Sequence, residues 1–165
     1  MEDRLVPTLI CVLFIVVTCA LMWWGWQARQ GRQKGLGHLQ EVPSAYENLA
    51  PLVAVSGTYV GTTVHGDWLD RVSVDSLGFK SACTLFIFED ALIFSRTGAQ
   101  DVFIPREDIV AVGTTSGMNG KFVEKDGLLQ LSWKLNGAEV DSAMRTQYTH
   151  DQQIVLDSLR DFVVT

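Results

Sequence analysis

The chain has 165 residues, and its 19 acidic residues outnumber the 13 basic ones, which gives a formal net charge of −6 at pH 7. After residue 35 the imbalance is larger, since 17 acids and nine bases leave a net charge of −8. Nucleic-acid phosphates repel such a body, so the composition argues against nucleic-acid binding. Cys83 is the single cysteine after Cys19, which excludes an internal disulfide in the body and fits a reducing compartment.

An uncharged apolar run from Leu5 to Trp26 dominates the N-terminal part of the chain. A helix needs about 20 apolar residues to cross the hydrocarbon layer of a bilayer, and this run has that length. We therefore predict one membrane-spanning helix that contacts lipid through residues 5–26. The chain then divides into an anchor (residues 1–28), a basic juxtamembrane tether (residues 29–50) and a folded domain (residues 51–165).

The charges that flank this run predict its orientation. Two acids and Arg4 precede it, whereas three basic residues follow it before the next acid, Glu41. Basic residues beside a membrane helix stay in the cytoplasm, so we expect the N-terminus outside the plasma membrane and the domain inside. Tryptophan rings also favour the bilayer interface. The predicted cytoplasmic membrane interface comprises Trp23, Trp24, Trp26, Arg29, Arg32 and Lys34.

Two questions about this run stay open. Val16-Val17-Thr18-Cys19 faintly resembles a lipoprotein signal, but the threonine before the cysteine is a poor match and bulky tryptophans follow where a cleavage site needs small residues. The helix either faces lipid as a monomer or pairs with another helix. Pairing would use a stripe at spacings of three and four that consists of Thr8, Cys11, Ile15, Thr18, Cys19 and Met22.

Three elements are predicted from the end of the tether to residue 72. Ser44–Ala50 is predicted to form a helical turn, with Ser44 and Glu47 as a capping box. Leu52–Val64 reads as a strand, and the glycines within it indicate a bulge or bend. Gly66–Val72 is predicted to be a short helix or an ordered loop, capped by Asp67.

The middle of the domain alternates apolar runs with turn residues, which is typical of antiparallel strands. Asn-Gly and Asp-Gly are strong two-residue hairpin signals because both turn positions need positive φ. Ser81–Phe88 and Ala91–Arg96 are predicted to form a hairpin around Glu89-Asp90, and Val102–Ile104 and Glu107–Thr115 are the next two strands. Lys121–Lys125 and Leu128–Leu135 flank Asp126-Gly127, while Leu128–Leu135 and Ala138–Arg145 flank Asn136-Gly137.

The period changes to that of a helix near the C-terminus. Thr149 and Gln152 have capping-box spacing, and Val155, Leu159 and Phe162 follow on one face. The sequence therefore predicts a mainly β domain of about seven antiparallel strands, a barrel or sandwich, closed by a C-terminal α-helix.

These elements resemble the pleckstrin-homology (PH) superfold. A more detailed resemblance rests on the stretches Gly57-Thr58-Tyr59-Val60-Gly61-Thr62-Thr63, Gly66-Asp67-Trp68-Leu69-Asp70-Arg71-Val72 and Phe103-Ile104-Pro105, and on Leu77-Gly78, Gly127-Leu128-Leu129, Trp133 and Arg145. In these residues the chain is similar to a family of membrane-anchored PH-like proteins from actinobacteria. The resemblance covers about residues 50–163 and implies one N-terminal anchor. It implies no settled activity, although members are loosely called transporters or export proteins.

Binding of phosphoinositides is not predicted. Eukaryotic PH domains bind these lipids through basic residues around the first loop between strands. The corresponding stretch here, Val64–Arg71, carries Asp67 and Asp70 with one arginine and His65. Phosphate recognition needs convergent donors and positive potential, which this loop does not supply.

No catalytic, cofactor or metal motif is recognised. Gly113–Lys121 has neither the spacing nor the Ser/Thr of a phosphate-binding loop. The histidines, His38, His65 and His150, are far apart and lack the spacing of metal ligands. His65 with Asp67 is the sole arrangement that suggests a hydrolase, and a lone His–Asp pair lacks a nucleophile and an orienting group.

The favoured function is a non-catalytic, membrane-tethered PH-like domain that binds a protein partner or its own copies. Trp133 alternates with leucines and is expected in the core, whereas Trp68 lies between acids in a turn region and is a candidate contact. The predicted partner surface comprises Asp67, Trp68, Asp70 and Arg71, beside the first strand and the loop Gly113–Lys121. The alternative is an accessory subunit of a membrane transport, export or envelope-assembly complex that assembles through the anchor.

Overall fold

The computed structural model describes residues 5–33, 36–118 and 120–162, and it divides the chain into two units between Gly35 and Leu36. The first unit contains helix α1, Leu5–Gln33. Its large apolar side chains between Ile10 and Trp24 are exposed. Among the described residues, no helix is both long enough and apolar enough to span a membrane.

The second unit is mainly β. Its short 3-10 turns include Ser44–Asn48 and Val74–Ser76, and one α-helix, α2, covers Thr149–Leu159. Its described strands are β1 (Val53–Val64), β2 (Asp67–Arg71), β3 (Ser81–Ile87), β4 (Ala91–Arg96), β5 (Val102–Pro105), β6 (Ile109–Thr115), β7 (Gly117–Met118), β8 (Lys121–Phe122), β9 (Leu128–Leu135) and β10 (Ala138–Thr146).

The strands form one antiparallel sheet with a small hairpin beside it. The main sheet has the order β5-β4-β3-β1-β10-β9-β6, with β2 paired to β1, while β7 and β8 pair with each other. Strand β1 is long enough to pair with β3 through its first half and with β10 from Gly57 to its end. The predicted mainly antiparallel fold with a C-terminal helix is therefore confirmed.

The main core lies under one face of this sheet. Tyr59, Leu85 and Phe94 are almost fully buried there, and Trp133 is buried as the alternation predicted. Helix α2 adds Val155 and Leu159 to the same cluster. The helix thus closes the core with the face that its 3.6-residue period predicted.

The folded unit begins earlier than the sequence predicted. Leu36 and Leu39 are buried in the main core, although both fall in the expected tether, residues 29–50. The Asn136 side chain donates to the carbonyls of Leu36 and His38, and Asp75 accepts from the Leu39 amide at 2.7 Å. Residues 36–50 therefore belong to the domain. From the sequence they are expected in the tether, because isolated leucines in a polar stretch give no periodic signal.

Two predicted local structures are wrong. Gly66–Val72 contains strand β2 instead of the predicted short helix or ordered loop, and the carboxylate of Asp67 accepts from the Leu69 amide at 3.1 Å within that strand. Strand β9 does not pair with Lys121–Lys125 across Asp126-Gly127, because its neighbours are β6 and β10. Within the described hairpin, Lys121 and Phe122 pair with β7 instead.

Neither predicted capping box forms. Pro43 precedes the turn Ser44–Asn48, and Tyr148 occupies the N-cap of α2; at these two described termini no side-chain cap bond is recorded. The Gln152 amide instead donates to the Asp126 carbonyl at 2.8 Å. The Gln152 side chain, which the capping box would use, is therefore engaged in a tertiary contact.

The glycines of β1 serve two purposes. Pairing with β10 shifts register between Tyr59 and Gly61, which confirms the predicted bulge, and Gly61 has φ 148°. At Gly57 a Cβ would lie 2.2 Å from the Arg145 carbonyl oxygen. Only glycine allows the two backbones to approach so closely there.

Candidate interaction surface

The residues singled out in the sequence lie on β2, beside the small hairpin. Trp68 is 42% exposed, and its ring centroid lies 5.3 Å from that of Phe122 on β8, which is 77% exposed. Leu69 is exposed as well, and a Cβ on Gly120 would lie 3.8 Å from it. We call Trp68, Leu69 and Phe122 the aromatic patch.

Charged residues flank Trp68 and Leu69 along β2. Asp67 and Arg71 are exposed and Asp70 is half-buried. Arg71 also lies against Gly78, where its side-chain carbons would be about 2.5 Å from an added Cβ. The patch is therefore an apolar surface with both signs of charge at its rim.

The sequence predicts Trp68 as a contact and places the partner surface beside the loop Gly113–Lys121, but it does not single out Leu69 or Phe122 individually. Phe122 was assigned to a strand of the main sheet, where one face would be buried. Its exposure follows from the hairpin β7–β8, which is too short to be recognised by period-two alternation.

His65 joins the β1–β2 turn to β10. Its Nδ1 lies 2.9 Å from Asp141 Oδ1, and its Nε2 lies 3.8 Å from Glu139 Oε2. The hydrogen bond to Asp141 and the negative charge of that carboxylate raise the pKa of His65 above its usual value. His65 therefore pairs with residues of β10, whereas the hydrolase hypothesis required it to pair with Asp67.

The neighbourhood of His65 is not arranged for nucleophilic catalysis. The buried Ser132 hydroxyl donates to the same Asp141 oxygen at 2.6 Å, so the carboxylate separates the serine from the imidazole. In a catalytic pair, the imidazole itself would accept the hydrogen bond from the serine hydroxyl. Throughout the part of the chain that the structure describes, no three metal-ligating side chains converge.

A second polar cluster is structural. The Tyr59 hydroxyl bonds to Thr62, whose hydroxyl lies 2.8 Å from that of Ser142, and Trp133 Nε1 donates to Ser142 at 2.9 Å. These groups are buried and satisfy one another, as buried polar groups must. They hold β1, β9 and β10 together.

The residues expected at the membrane interface fall in or after α1. Trp23 and Trp24 are exposed on this helix. Trp26, Arg29 and Arg32 belong to α1, but their side chains lie outside those that the structure describes, and Lys34 lies outside the described residues.

The similarity of this chain to curated proteins and solved structures is low. No curated protein gave a significant match. One chain of a solved structure titled "The 8S snRNP Assembly Intermediate" is similar, with 11% sequence identity and a TM-score of 0.48, over 76% of this chain and 87% of that chain; this likeness is too weak to inform function.

A family model described as "Bacterial PH domain-like" matches residues 36–160, which is most of the chain. The match begins at Leu36, where the folded unit begins, and it ends one residue beyond α2. Domains of this kind are generally non-catalytic interaction modules. The antiparallel sheet, the closing helix and this match together show that the chain belongs to the bacterial PH domain-like family.

Proposed function

We propose that this chain is a non-catalytic interaction protein that presents its PH-like domain at the cytoplasmic face of the plasma membrane. Its aromatic patch, with Asp67, Asp70 and Arg71 at the rim, is the surface that binds a protein partner. The observation that carries this proposal is the pair of exposed rings of Trp68 and Phe122, held together on two different hairpins.

The patch has the chemistry of an interface centre. Exposed aromatic rings in contact lose ordered water on binding and dominate the binding energy at many interfaces. The mixed charges of Asp67, Asp70 and Arg71 are suited to fixing the orientation of a partner. The net negative charge of the body favours a partner whose contact surface is basic.

The membrane placement is supported by the first unit. The uncharged run Leu5–Trp26 lies within α1, and the described apolar side chains of that helix are exposed. At about 1.5 Å per residue, the 29 residues of α1 extend for about 43 Å, longer than the hydrocarbon layer of roughly 30 Å. Basic residues after the run support a cytoplasmic domain.

Photo-crosslinking in native membranes tests the surface. A photoreactive phenylalanine analogue replaces Phe122 in one full-length variant and Ile154 of α2 in another. Ile154 is a matched control, since it is an exposed apolar residue on another element. We expect partner adducts from position 122 that are missing from position 154. Identical adducts from both positions, or unchanged partners after Trp68→Ala with Phe122→Ala, would contradict the proposed surface.

Protease treatment of intact cells tests the placement. A protease that cannot cross the membrane should leave the domain intact and should digest it after the cells are opened. Digestion in intact cells would reject a cytoplasmic domain. Recovery of the domain in the soluble fraction, or a mature chain that begins after Trp26, would reject the anchor.

A second candidate is an accessory subunit of a membrane transport, export or envelope-assembly complex that assembles through α1. It is supported by exposed small residues on α1, including Cys11 and Cys19. The Thr18 hydroxyl, however, donates to the Phe14 carbonyl within the helix at 2.8 Å. Replacing residues 5–26 with an unrelated apolar helix separates the two candidates, because only the second requires this particular helix.

A further inference from the structure

A small cavity of about 110 Å³ lies between the main sheet and the β7–β8 hairpin. Its apolar lining comes from Val60, Met118, Val123 and Leu128, which pack with Ala143 into a cluster separate from the main core. Met118 and Leu128 are almost fully buried. The cavity is therefore the interior of a second, smaller apolar cluster.

Two cationic side chains also line this cavity, Lys80 and Arg145. Thr58 pairs with Arg145 on one side and with Ala82 on the other. Because side chains alternate along a strand, Thr58 and Arg145 project from the face opposite Tyr59 and Met144, which are in the main core. Lys80 immediately precedes β3 and lines the cavity from there. Both cations are exposed, so the charges lie at the opening and the apolar groups lie at the base.

The two cations differ in their partners. Arg145 donates to Glu124 Oε1 at 2.7 Å, and both of these side chains are more than half exposed. Lys80, by contrast, forms no ion pair or side-chain hydrogen bond with any described residue. A guanidinium has five N–H donors, so Arg145 retains donors beyond the bond to Glu124.

A polar groove continues from the cavity. It has a volume of about 480 Å³ and shares Thr58 and Arg145 with the cavity. Its lining is rich in hydroxyl groups, from Ser56, Thr84, Ser95 and Thr97. Hydroxyl groups both donate and accept, so such a groove suits a peptide backbone.

The geometry points to a binding site for the C-terminal residue of a partner polypeptide that ends in an apolar amino acid such as leucine or valine. The apolar side chain occupies the cavity, whose volume is of the order that holds one small hydrocarbon group. The terminal carboxylate bonds to Lys80 and Arg145, and the preceding residues lie in the hydroxyl-lined groove. This site goes beyond the proposed function, because it shares no residue with the aromatic patch.

Methyl NMR of the full chain in detergent micelles tests the site. The chain has four methionines, and a ¹³C-labelled Met118 methyl reports on the cavity while that of Met144, buried in the main core, is the internal control. The probes are acetyl-Gly-Ser-Gly-Ser-Leu with a free carboxylate, the same peptide amidated, and free 4-methylpentanoate. We expect a saturable shift of Met118 with the free-carboxylate peptide, and binding at least tenfold weaker for the amide.

Three variants sharpen the test. Lys80→Gln should weaken binding by about tenfold, as expected for loss of a hydrogen bond between charged groups. Glu124→Gln should strengthen binding, because it frees Arg145 of its competing carboxylate. Lys125→Gln is the control, since it removes an exposed cation that does not line the cavity.

Three results would overturn the proposal. The first is an unshifted Met118 methyl with the free-carboxylate peptide at millimolar concentration. The second is equal binding of the acid and the amide, which would remove the role of the cations. The third is binding of free 4-methylpentanoate without binding of the peptide, which would reject a polypeptide as the source of the carboxylate.

Discussion

The Cys83 thiol shows how burial controls the reactivity of one residue. Cys83 lies on β3 and is 5% exposed, and burial raises its pKa to about 11. At pH 8 only about 0.1% of such a thiol is thiolate, which is the reactive form. The residue therefore acts as a small core side chain.

We predict that Cys83 is inert to a charged maleimide at pH 8 in the native chain. Mass spectrometry of a variant without the other cysteines, Cys11→Ser with Cys19→Ser, measures the labelling. Ser44→Cys in the same background is the control, since Ser44 is exposed and should label at least a hundredfold faster. Labelling of Cys83 at a comparable rate without denaturant would show that the β3 core opens readily.

The contact between His65 and Asp141 makes part of the stability depend on pH. The pKa of His65 is raised in the folded state by the hydrogen bond to Asp141, and then by the charge of that carboxylate. The stabilisation is therefore fully present below the unfolded pKa of about 6.5, and it is lost as the pH rises through the folded value. Because the side chain is 49% exposed, water screens the effect.

We predict that an NMR titration places the pKa of His65 above that of the unfolded chain, and that Asp141→Asn lowers it more than Glu139→Gln does. His65→Gln should reduce the urea midpoint more at pH 5.5 than at pH 8.5. An equal loss at both pH values would mean that the imidazole contributes by packing and not by charge.

Among the elements, strands with regular alternation were predictable, whereas short or irregular ones were not. β3, β4, β9 and β10 match the expected ranges closely, because one face of each packs on the core. β2 contains the sequence Asp-Trp-Leu-Asp-Arg, which alternates poorly and lies outside the main core. Its strand conformation comes from pairing with β1, which is a tertiary contact.

The two Gly-containing dipeptides illustrate the same distinction. Asn136 and Gly137 have φ values of 50° and 86° and join β9 to β10. Asp126 also has positive φ, yet the chain around it makes a turn that does not join two paired strands. A dipeptide thus predicts the local backbone conformation, whereas tertiary contacts determine which strands pair.

We predict that Gly137→Ala lowers the free energy of unfolding by about 1–2 kcal/mol, since an L side chain is disfavoured at positive φ. Gly113→Ala is the matched control: its φ is not positive, and an added Cβ meets no atom within 4 Å, so the change should be within about 0.5 kcal/mol. Thermal unfolding of both variants measures the difference. Equal effects would mean that the turn adapts its backbone.

At the scale of the whole molecule, the domain boundary is the main difference between expectation and structure. Leu36 and Leu39 are 4% and 6% exposed within the main core. Burial raises the pKa of Asp75, but hydrogen bonds from the Leu39 amide and His38 outweigh burial and lower it below its usual value. That carboxylate therefore holds residues 38 and 39 against the domain.

We predict that a fragment of residues 36–165 folds without α1, and that a fragment of residues 51–165 is less stable by at least about 3 kcal/mol because it lacks two buried leucines. Urea unfolding, followed by near-UV circular dichroism from the buried Trp133, measures both. Double substitution of Leu36 and Leu39 by Ala in the longer fragment is the control and should give most of the loss. Equal stability of the two fragments would show that residues 36–50 are dispensable.

The sequence by itself determined the mainly antiparallel fold, the closing helix and the PH-like family, because period-two and helical patterns record which face of each element is buried. Only the tertiary structure decided that residues 36–50 join the core, that Phe122 lies against Trp68, and that His65 pairs with β10. These features depend on contacts between residues that are distant in sequence, and no local pattern encodes the partner of an isolated leucine, ring or imidazole.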